Sequence, residues 1–258
     1  MFSTDGTELT DAKKIERRTT SPVEDTSILS TPRREQPHKD LAIFWSGGKD
    51  CATALYKISS AERYQRQFRA SSLVTTLTRE YDRVSGHGVH SSILDRQAAC
   101  LGIKLRKTYI TCNSTMVDYE QVIESALHEE RRIGTKVVSS GDIFLDKRRR
   151  ATVRDVGMQG CFPLYGRDTT NHVREIIDSG FKAWVVCVNS AILDQSFIGC
   201  EVDRHFLNRL PPSVDPCGEY GEYHTFVVDG PIFREPVRCR RGQIVLREGF
   251  YFCDLTLD

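Results

Sequence analysis

Residues 41–57, LAIFWSGGKDCATALYK, decide the fold that we expect of this chain. The apolar run at 41–45 predicts a buried strand, and apolar positions between residues 51 and 58 recur at helical spacing. The segment that joins them, residues 46–50, holds two adjacent glycines between a serine and a lysine. A strand that passes through so short a loop into a helix is typical of the β-α units of a parallel sheet.

This loop has the chemistry of a phosphate-binding site. Glycine lets the backbone approach phosphate oxygens closely, and the start of the following helix offers free N–H groups and the positive end of its dipole. Neither the Walker A pattern nor the Rossmann G-x-G-x-x-G is present. The structural alternative is a glycine turn that only links strand to helix. We predict that the anion is bound by Ser46, Gly47, Gly48, Lys49 and Asp50.

Strand and helix patterns alternate along the rest of the chain, which predicts an α/β fold with a parallel sheet. Further strands are expected at 71–78, 105–110, 136–143 and 182–189, and helices at 91–103, 116–134 and 169–180. After Pro211 the chain becomes rich in glycine, proline and aromatic residues. There the segment 237–257 predicts antiparallel strands with a turn near Arg241 and Gly242.

Composition divides the chain into three predicted parts. Residues 1–38 are rich in Ser, Thr, Pro and charge, and we expect them to form a flexible tail. Residues 39–145 are predicted to form a nucleotide-type α/β domain. Residues 146–258 are predicted to form a smaller α+β domain that binds the substrate.

Charge and cysteine usage limit the functions that the sequence allows. The formal net charge of +1 gives no electrostatic reason to expect binding to nucleic acid or to an anionic membrane. No apolar run is long enough to cross a bilayer, and the N-terminus lacks the apolar core of a secretory signal. The nine cysteines form no C-x-x-C pair, which suits reduced, mostly buried thiols. We therefore expect a cytoplasmic protein.

Two further loops are candidates for the same site, because ligands of open parallel sheets bind beyond the carboxyl ends of the strands. Gly141 and Asp142 end the strand predicted at 136–143, and His87 follows the strand predicted at 71–78. Each has an ordinary structural alternative, a strand-end turn for Asp142 and loop packing for His87.

Five segments together carry a resemblance to a known family. Residues 46–51, SGGKDC, resemble the S-G-G-x-D-S loop of the ATP pyrophosphatase, or PP-loop, superfamily, with Cys51 in place of the final serine. HGVHSSILDRQAACLGI (87–103), SSGDIF (139–144), CFPLYGRDT (161–169) and DPCGEYGEYHTFVVDGPIF (215–233) resemble the diphthine–ammonia ligase family. The resemblance spans about residues 40–235.

The resemblance implies an adenine nucleotide alpha hydrolase-like domain followed by a substrate domain. It also implies an ATP-dependent ligase that adenylates a carboxylate and joins it to ammonia, with Mg²⁺ accompanying the ATP. The family acts on diphthine of elongation factor 2. The implied nucleotide site includes Cys51, although a thiol is a weaker donor than a hydroxyl. Asp50 is expected to cap the helix, with contact to Mg²⁺ as the alternative.

The implied catalytic residues are Lys49, Glu219, Glu222 and His224. The two glutamates are expected to orient ammonia, to hold the substrate's cationic group or to bind a metal through water. His224 is expected to act as a base if its pKa lies near neutral. Their structural alternative is that the glutamates cap turns. No metal site made by the chain itself is predicted.

One segment departs from the family. DKRRR (146–150) stands where the family has a different pattern, and it is expected to be a solvated helix face or to meet a triphosphate or an acidic partner. Two other functions therefore stay open, an ATP-dependent enzyme with a different carboxylate or small-molecule substrate and a non-catalytic adenine-nucleotide-binding protein. A tRNA thiolase is disfavoured, because C-x-x-C pairs and a basic surface are missing.

Overall fold

The computed structural model describes residues 38–144 and 147–258. The predicted tail, residues 1–38, lies outside the described residues except for His38. The predicted boundary between residues 145 and 146 also falls on undescribed positions, and the division into two domains there stays a prediction.

The first sheet is mostly parallel, as predicted. Its six strands are β1 Lys39–Phe44, β2 Phe68–Thr78, β3 Arg83–Val84, β4 Lys104–Ile110, β5 Val137–Ser139 and β6 Gln159–Cys161. Strand β1 is central, with β2 and then β4 on one side and β5 and then β6 on the other. Only the short β3 pairs antiparallel, at the end of β2. Strand β6 belongs to this sheet although it follows residue 145.

Helices connect the strands. They are α1 Lys49–Ser60, α2 Glu62–Gln65, α3 Ser91–Leu101, α4 Met116–Arg132, α5 Lys147–Asp155, α6 Thr169–Asp178 and α7 Arg204–Arg209, with a 3₁₀ turn at Gln195–Phe197. Helix α4 begins with a capping box in which Thr115 and Asp118 exchange side-chain to backbone hydrogen bonds. Helix α3 ends at Gly102 in the left-handed conformation. These local signals explain why the helices predicted from periodicity are present.

The second sheet is antiparallel and packs on the first. Its strands β7 Lys182–Asn189, β8 Tyr223–Asp229, β9 Cys239–Arg247 and β10 Phe250–Leu257 lie in the order β8-β7-β10-β9. One buried core includes Leu41 of β1, Leu55 of α1 and Val185 and Phe226 of the second sheet. This shared core holds β8 against the loop that follows β1.

The predicted turn of the C-terminal hairpin is wrong by seven residues. Strand β9 continues through Arg241 and Gly242, and the chain turns at Glu248 and Gly249, with φ angles of 50° and 82°. A two-residue hairpin turn of type I′ needs positive φ at both central positions. Gly242 instead stands opposite the second strand, where a Cβ atom would lie 3.4 Å from the carbonyl oxygen of Asp254.

The cysteines are free and mostly buried thiols, as predicted. All nine cysteines lie among the described residues, none is in a disulfide, and six are buried. Among the helices that the structure describes, none combines the length and the apolar character needed to cross a bilayer.

Candidate active site

A cavity of about 680 Å³ opens at the carboxyl ends of β1 and β5. The chain first builds the sheet from β1 toward β4 and then returns to add β5 and β6 on the other side, so the strand order reverses here. Open parallel sheets bind ligands at such a point. Ser46, Lys49, Asp50 and Cys51 of the loop after β1 line the cavity, whereas the predicted anion-binding residues Gly47 and Gly48 do not. The other walls come from the segment 140–142, His87, the start of α4 and residues around β8.

The two glycines of the loop are required by close packing. Gly47 has a φ of +81°, and a Cβ atom there would lie 2.8 Å from side-chain carbons of Leu94 and Phe226. A Cβ atom on Gly48 would lie 3.0 Å from the carbonyl oxygen of Thr225. Glycine at these positions therefore lets the loop pack tightly against α3 and β8, with no room for a side chain at Gly47.

A buried glutamine that the sequence did not single out holds this loop. Gln97 donates from Nε2 to the carbonyl oxygens of Gly47 (3.0 Å) and Val227 (2.6 Å), and its Oε1 accepts from Trp45 Nε1 at 2.8 Å. The amide of Val227 also donates to Gly47 O at 2.8 Å. The only sequence signal was a polar residue on the apolar face of α3, and its partners lie up to 130 positions away.

Lys49 is buried at the base of the cavity. Its Nζ lies 2.8 Å from Asp50 Oδ2 and 5.4 Å from the ring centroid of Tyr223. Burial alone would lower the pKa of Lys49, but the adjacent Asp50 carboxylate raises that pKa well above its usual value. The backbone amide of Lys49 donates to Thr225 Oγ1 at 3.0 Å, so this amide is not free for a phosphate.

The predicted capping role of Asp50 is wrong. Gly48 is the N-cap of α1 and accepts from the amide of Ala52, so the helix begins before Asp50. The Asp50 carboxylate instead binds Lys49 and lies 3.3 Å from His172 Nε2. Burial would raise the pKa of Asp50, but Lys49 and then His172 lower it to about 2. Asp50 is therefore a fixed anion in the first turn, where the helix dipole also favours it.

Cys51 lies at the loop but points its thiol inward. Its Sγ donates to Gly48 O at 3.1 Å and lies 3.7 Å from Ser46 Oγ. Burial raises the pKa of Cys51 to about 11, so the group stays a neutral thiol. The Cys51 thiol thus forms the loop hydrogen bond that a serine hydroxyl would form at this position. The residue is 5% exposed.

Two imidazoles form part of the cavity wall. The rings of His87 and His224 lie with centroids 4.5 Å apart and planes at 34°. Burial lowers the pKa of His87 to about 3, with His224 adding to the effect, and burial lowers the pKa of His224 to about 4. Both rings are therefore neutral near pH 7 and serve as hydrogen-bonding groups rather than strong bases.

The two predicted glutamates have different surroundings. Glu219 lines the cavity, and its burial, together with the charge of Asp50, raises its pKa to about 7. Glu222 is 4% exposed and accepts from the amides of Asp215 at 3.0 Å and Tyr220 at 2.9 Å. Glu222 thus shapes the loop that carries Glu219, as in the structural alternative above, and its carboxylate is occupied by backbone donors.

The loop after β5 completes the opposite wall. Gly141 packs on the start of α1, where a Cβ atom would lie 2.5 Å from the amide nitrogen of Cys51. Asp142 lies 3.4 Å from Arg149 Nε, and the Arg149 guanidinium stands 4.9 Å from the ring centroid of Phe44. The basic run thus forms the start of α5, and one of its arginines faces the cavity while the others carry the solvated face that was expected.

Two residues that line this cavity carry buried hydroxyls without partners. Thr75 Oγ1 and Ser140 Oγ are both buried, both residues line the cavity, and neither atom has a hydrogen-bond partner among the described residues. Since buried hydroxyl groups normally find a partner, these two indicate where a polar ligand would bind.

A cluster with metal-ligand chemistry also borders the cavity. Asp50, His172 and Cys217 offer atoms that all lie within 4.8 Å of one another. The Asp50 carboxylate already forms an ion pair with the Lys49 ammonium, and Cys217 Sγ donates to Thr169 O at 3.1 Å. A positive charge at this place opposes a second cation, so the cluster fits an ion-pair network better than a metal site.

Fold and site together define the class. A glycine loop at the strand-order reversal of a parallel sheet, backed by an antiparallel sheet, is the arrangement of an α/β protein of the PP-loop type. Profiles of the diphthamide synthase N-terminal and C-terminal domains match residues 39–159 and 168–256. The chain belongs to the diphthamide synthase family.

Curated relatives carry the name diphthine–ammonia ligase. The Danio rerio protein is 26% identical over 219 residues, which are 74% of this chain and 83% of the relative. The Homo sapiens protein is 24% identical over 167 residues, 58% of this chain and 59% of its own length. The match thus spans less than two thirds of the human relative.

A comparison of folds found a predicted subunit of tRNA methyltransferase from Methanocaldococcus jannaschii. Its TM-score is 0.41 and its sequence identity 14%, with 73% of this chain and 96% of the other covered. A likeness at that level carries no argument about function.

Proposed function

We propose that this protein is an ATP-dependent amide ligase, which converts a carboxylate, ammonia and ATP into an amide, AMP and pyrophosphate. The acceptor that the relatives' name suggests is diphthine, carried by elongation factor 2. The observation that carries the proposal is that Lys49 at the start of α1 and Glu219 line one cavity at the strand-order reversal. Nucleotide and acceptor would meet there.

The residues present fit an adenine nucleotide. The unpartnered hydroxyls of Thr75 and Ser140 supply hydrogen-bonding groups that a nucleotide would satisfy. Oxygen ligands suit Mg²⁺, and Asp142, a carboxylate on the cavity wall, would hold the ion beside the phosphates once it leaves its ion pair with Arg149. When bound, Mg²⁺ would neutralise part of the triphosphate charge.

In the first step, a carboxylate oxygen of the acceptor attacks the α-phosphorus of ATP. The bond from that phosphorus to the bridging oxygen breaks, and pyrophosphate leaves with the electron pair. Lys49 uses one of its three N–H donors on Asp50 and keeps two for the phosphate oxygens. Together with the N-terminus of α1 it stabilises the charge that develops on the leaving group.

In the second step, ammonia attacks the acyl carbon and AMP leaves with the former carboxylate oxygen. The attacking nitrogen must then lose a proton. Glu219, with its pKa near 7, is the matched acceptor for that proton. His224 does not meet the condition set for a base, because its pKa is about 4, so we assign it a hydrogen-bonding role.

The proposal is tested by pyrophosphate release from ATP, measured with and without ammonia and elongation factor 2 that carries diphthine. Release that needs both co-substrates supports the ligase. Release that needs ammonia and a different carboxylate would move the function to another acceptor. ATP binding by calorimetry with no release under any of these conditions would leave a nucleotide-binding protein and contradict the ligase.

Replacing Glu219 by glutamine is expected to lower kcat by about 10²–10⁴-fold, because a general base of matched pKa is lost. In the wild type, kcat is expected to rise as the pH increases through about 7, since the deprotonated carboxylate is the active form. The variant should lose that inflection and keep its affinity for ATP. Glu201→Gln, on the exposed surface, is the control and should change nothing. An unaltered pH profile in Glu219→Gln would remove this residue from the chemistry.

A further inference from the structure

A second cavity adjoins the first and has no role in the chemistry above. It has a volume of about 480 Å³ and lies between the β9–β10 hairpin and the turn that joins β2 to β3. Val84, Gly86 and His224 line both cavities. The two cavities are therefore neighbours, with His224 on the wall between them.

We call this second cavity the hairpin groove. One face of the β9–β10 hairpin forms one of its walls. The alternation of side chains along a strand sends every second residue to this face. Its members are Gln243, Val245, Arg247, Phe250, Phe252 and Asp254. The intervening residues Ile244 and Leu246 do not line it and are 41% and 58% exposed.

The opposite wall of the groove is tied firmly to the hairpin. Arg83 Nη1 donates to Gly88 O at 2.7 Å and to Asp254 Oδ1 at 2.8 Å. Gly88 packs directly on Phe252, since a Cβ atom there would lie 2.5 Å from the Phe252 ring. The groove is thus preformed, which limits the ordering that a ligand must impose.

The sheet offers a way to hold an extended chain beside the groove. Strand β9 is at the edge of the second sheet and pairs with β10 alone among the described strands. An edge strand presents unpaired N–H and C=O groups, to which an extended peptide can add. The lining combines the apolar side chains of Val245, Phe250 and Phe252 with charges of both signs. That mixture suits a polypeptide better than the uniform negative charge of a nucleic acid.

We propose that the hairpin groove docks the polypeptide segment that carries the acceptor carboxylate, while the modified side chain passes His224 into the first cavity. This inference rests on the proposed function and deepens it, because the ATP phosphates fill the loop end of the first cavity and the acceptor needs a separate opening. A freely diffusing small acceptor would have no need of the groove.

The test places the same substitution on the two faces of β9. Gln243→Trp fills the groove, and the matched control Ile244→Trp changes the neighbouring position on the opposite face. With elongation factor 2 that carries diphthine, Gln243→Trp is expected to raise KM for the protein at least about tenfold, which corresponds to about 1.4 kcal/mol. The affinity for ATP and kcat at saturating acceptor should stay unchanged, and Ile244→Trp should match the wild type.

Two further measurements keep the outcomes distinct. Tyr81→Ala, on the opposite wall, should also raise KM for the protein acceptor. This variant tests the groove independently if Gln243→Trp lowers the melting midpoint of the protein. If the wild type is fully active and all variants have equal KM values, the docking proposal is wrong and the ligase proposal is unaffected. A wild type that neither binds the protein acceptor nor releases pyrophosphate with it would overturn both.

Discussion

Gly47→Ala is expected to weaken ATP binding by roughly 100-fold or more, since a displacement of about 1 Å in a binding loop has effects of that order. The new methyl group would lie 2.8 Å from both Leu94 and Phe226, and neither neighbour can move freely inside the shared core. The backbone must therefore shift, and it carries the phosphate-binding amides with it. Calorimetric titration with ATP measures the loss.

Gly180→Ala is the matched control for this substitution. Its φ of +80° equals that of Gly47 within a degree, but nothing lies within 4 Å of the added methyl group. It should reproduce only the backbone strain of an alanine in the left-handed region, about 1–2 kcal/mol of stability, and leave ATP binding intact. Equal ATP affinities for the two variants would mean that the loop does not hold the nucleotide.

The largest effect on stability is expected for Glu130→Ala in α4. This carboxylate is fully buried and accepts from Arg106 Nε at 2.6 Å, Ser72 Oγ at 2.9 Å and Thr135 Oγ1 at 2.8 Å. Its removal leaves two hydroxyls without their acceptor and leaves the Arg106 guanidinium with only the more distant Glu129 carboxylate, at 3.8 Å. Loss of one partner of a buried ion pair lowers the free energy of unfolding by about 3–5 kcal/mol.

The neighbouring residue supplies the comparison. Glu129 is half-buried, pairs with the exposed Arg132 at 2.8 Å and lies 3.8 Å from Arg106, so Glu129→Ala should lower stability by only about 1 kcal/mol. Denaturation in urea, followed by circular dichroism, measures both variants. Similar midpoints for Glu129→Ala and Glu130→Ala would show that the buried network adds little to the fold.

The sequence predicted the parts of the fold that depend on neighbours along the chain. The β1–loop–α1 unit and the alternation of strands and helices both rest on local spacing. The turn at Glu248 and Gly249 was missed because glutamate is an unusual residue for positive φ.

The features of the site that depend on residues far apart in the chain could not be predicted from the sequence. Gln97 holds the loop through partners on β8, and Thr225 occupies the amide of Lys49 from 176 positions away. The same limit applies to Glu219 and Glu222, which look alike in the motif and differ only in what surrounds them in the folded chain. Burial gives Glu219 a pKa near 7, whereas two backbone amides occupy Glu222.

The transfer of oxygen tests the central claim most directly. An acceptor whose carboxylate carries ¹⁸O at both oxygens is incubated with ATP, ammonia and the protein, and the AMP is analysed by mass spectrometry. Attack of that carboxylate on the α-phosphorus predicts that each AMP formed retains one ¹⁸O atom. Unlabelled AMP, or ADP with the label in inorganic phosphate, would contradict adenylation of a carboxylate at the glycine loop.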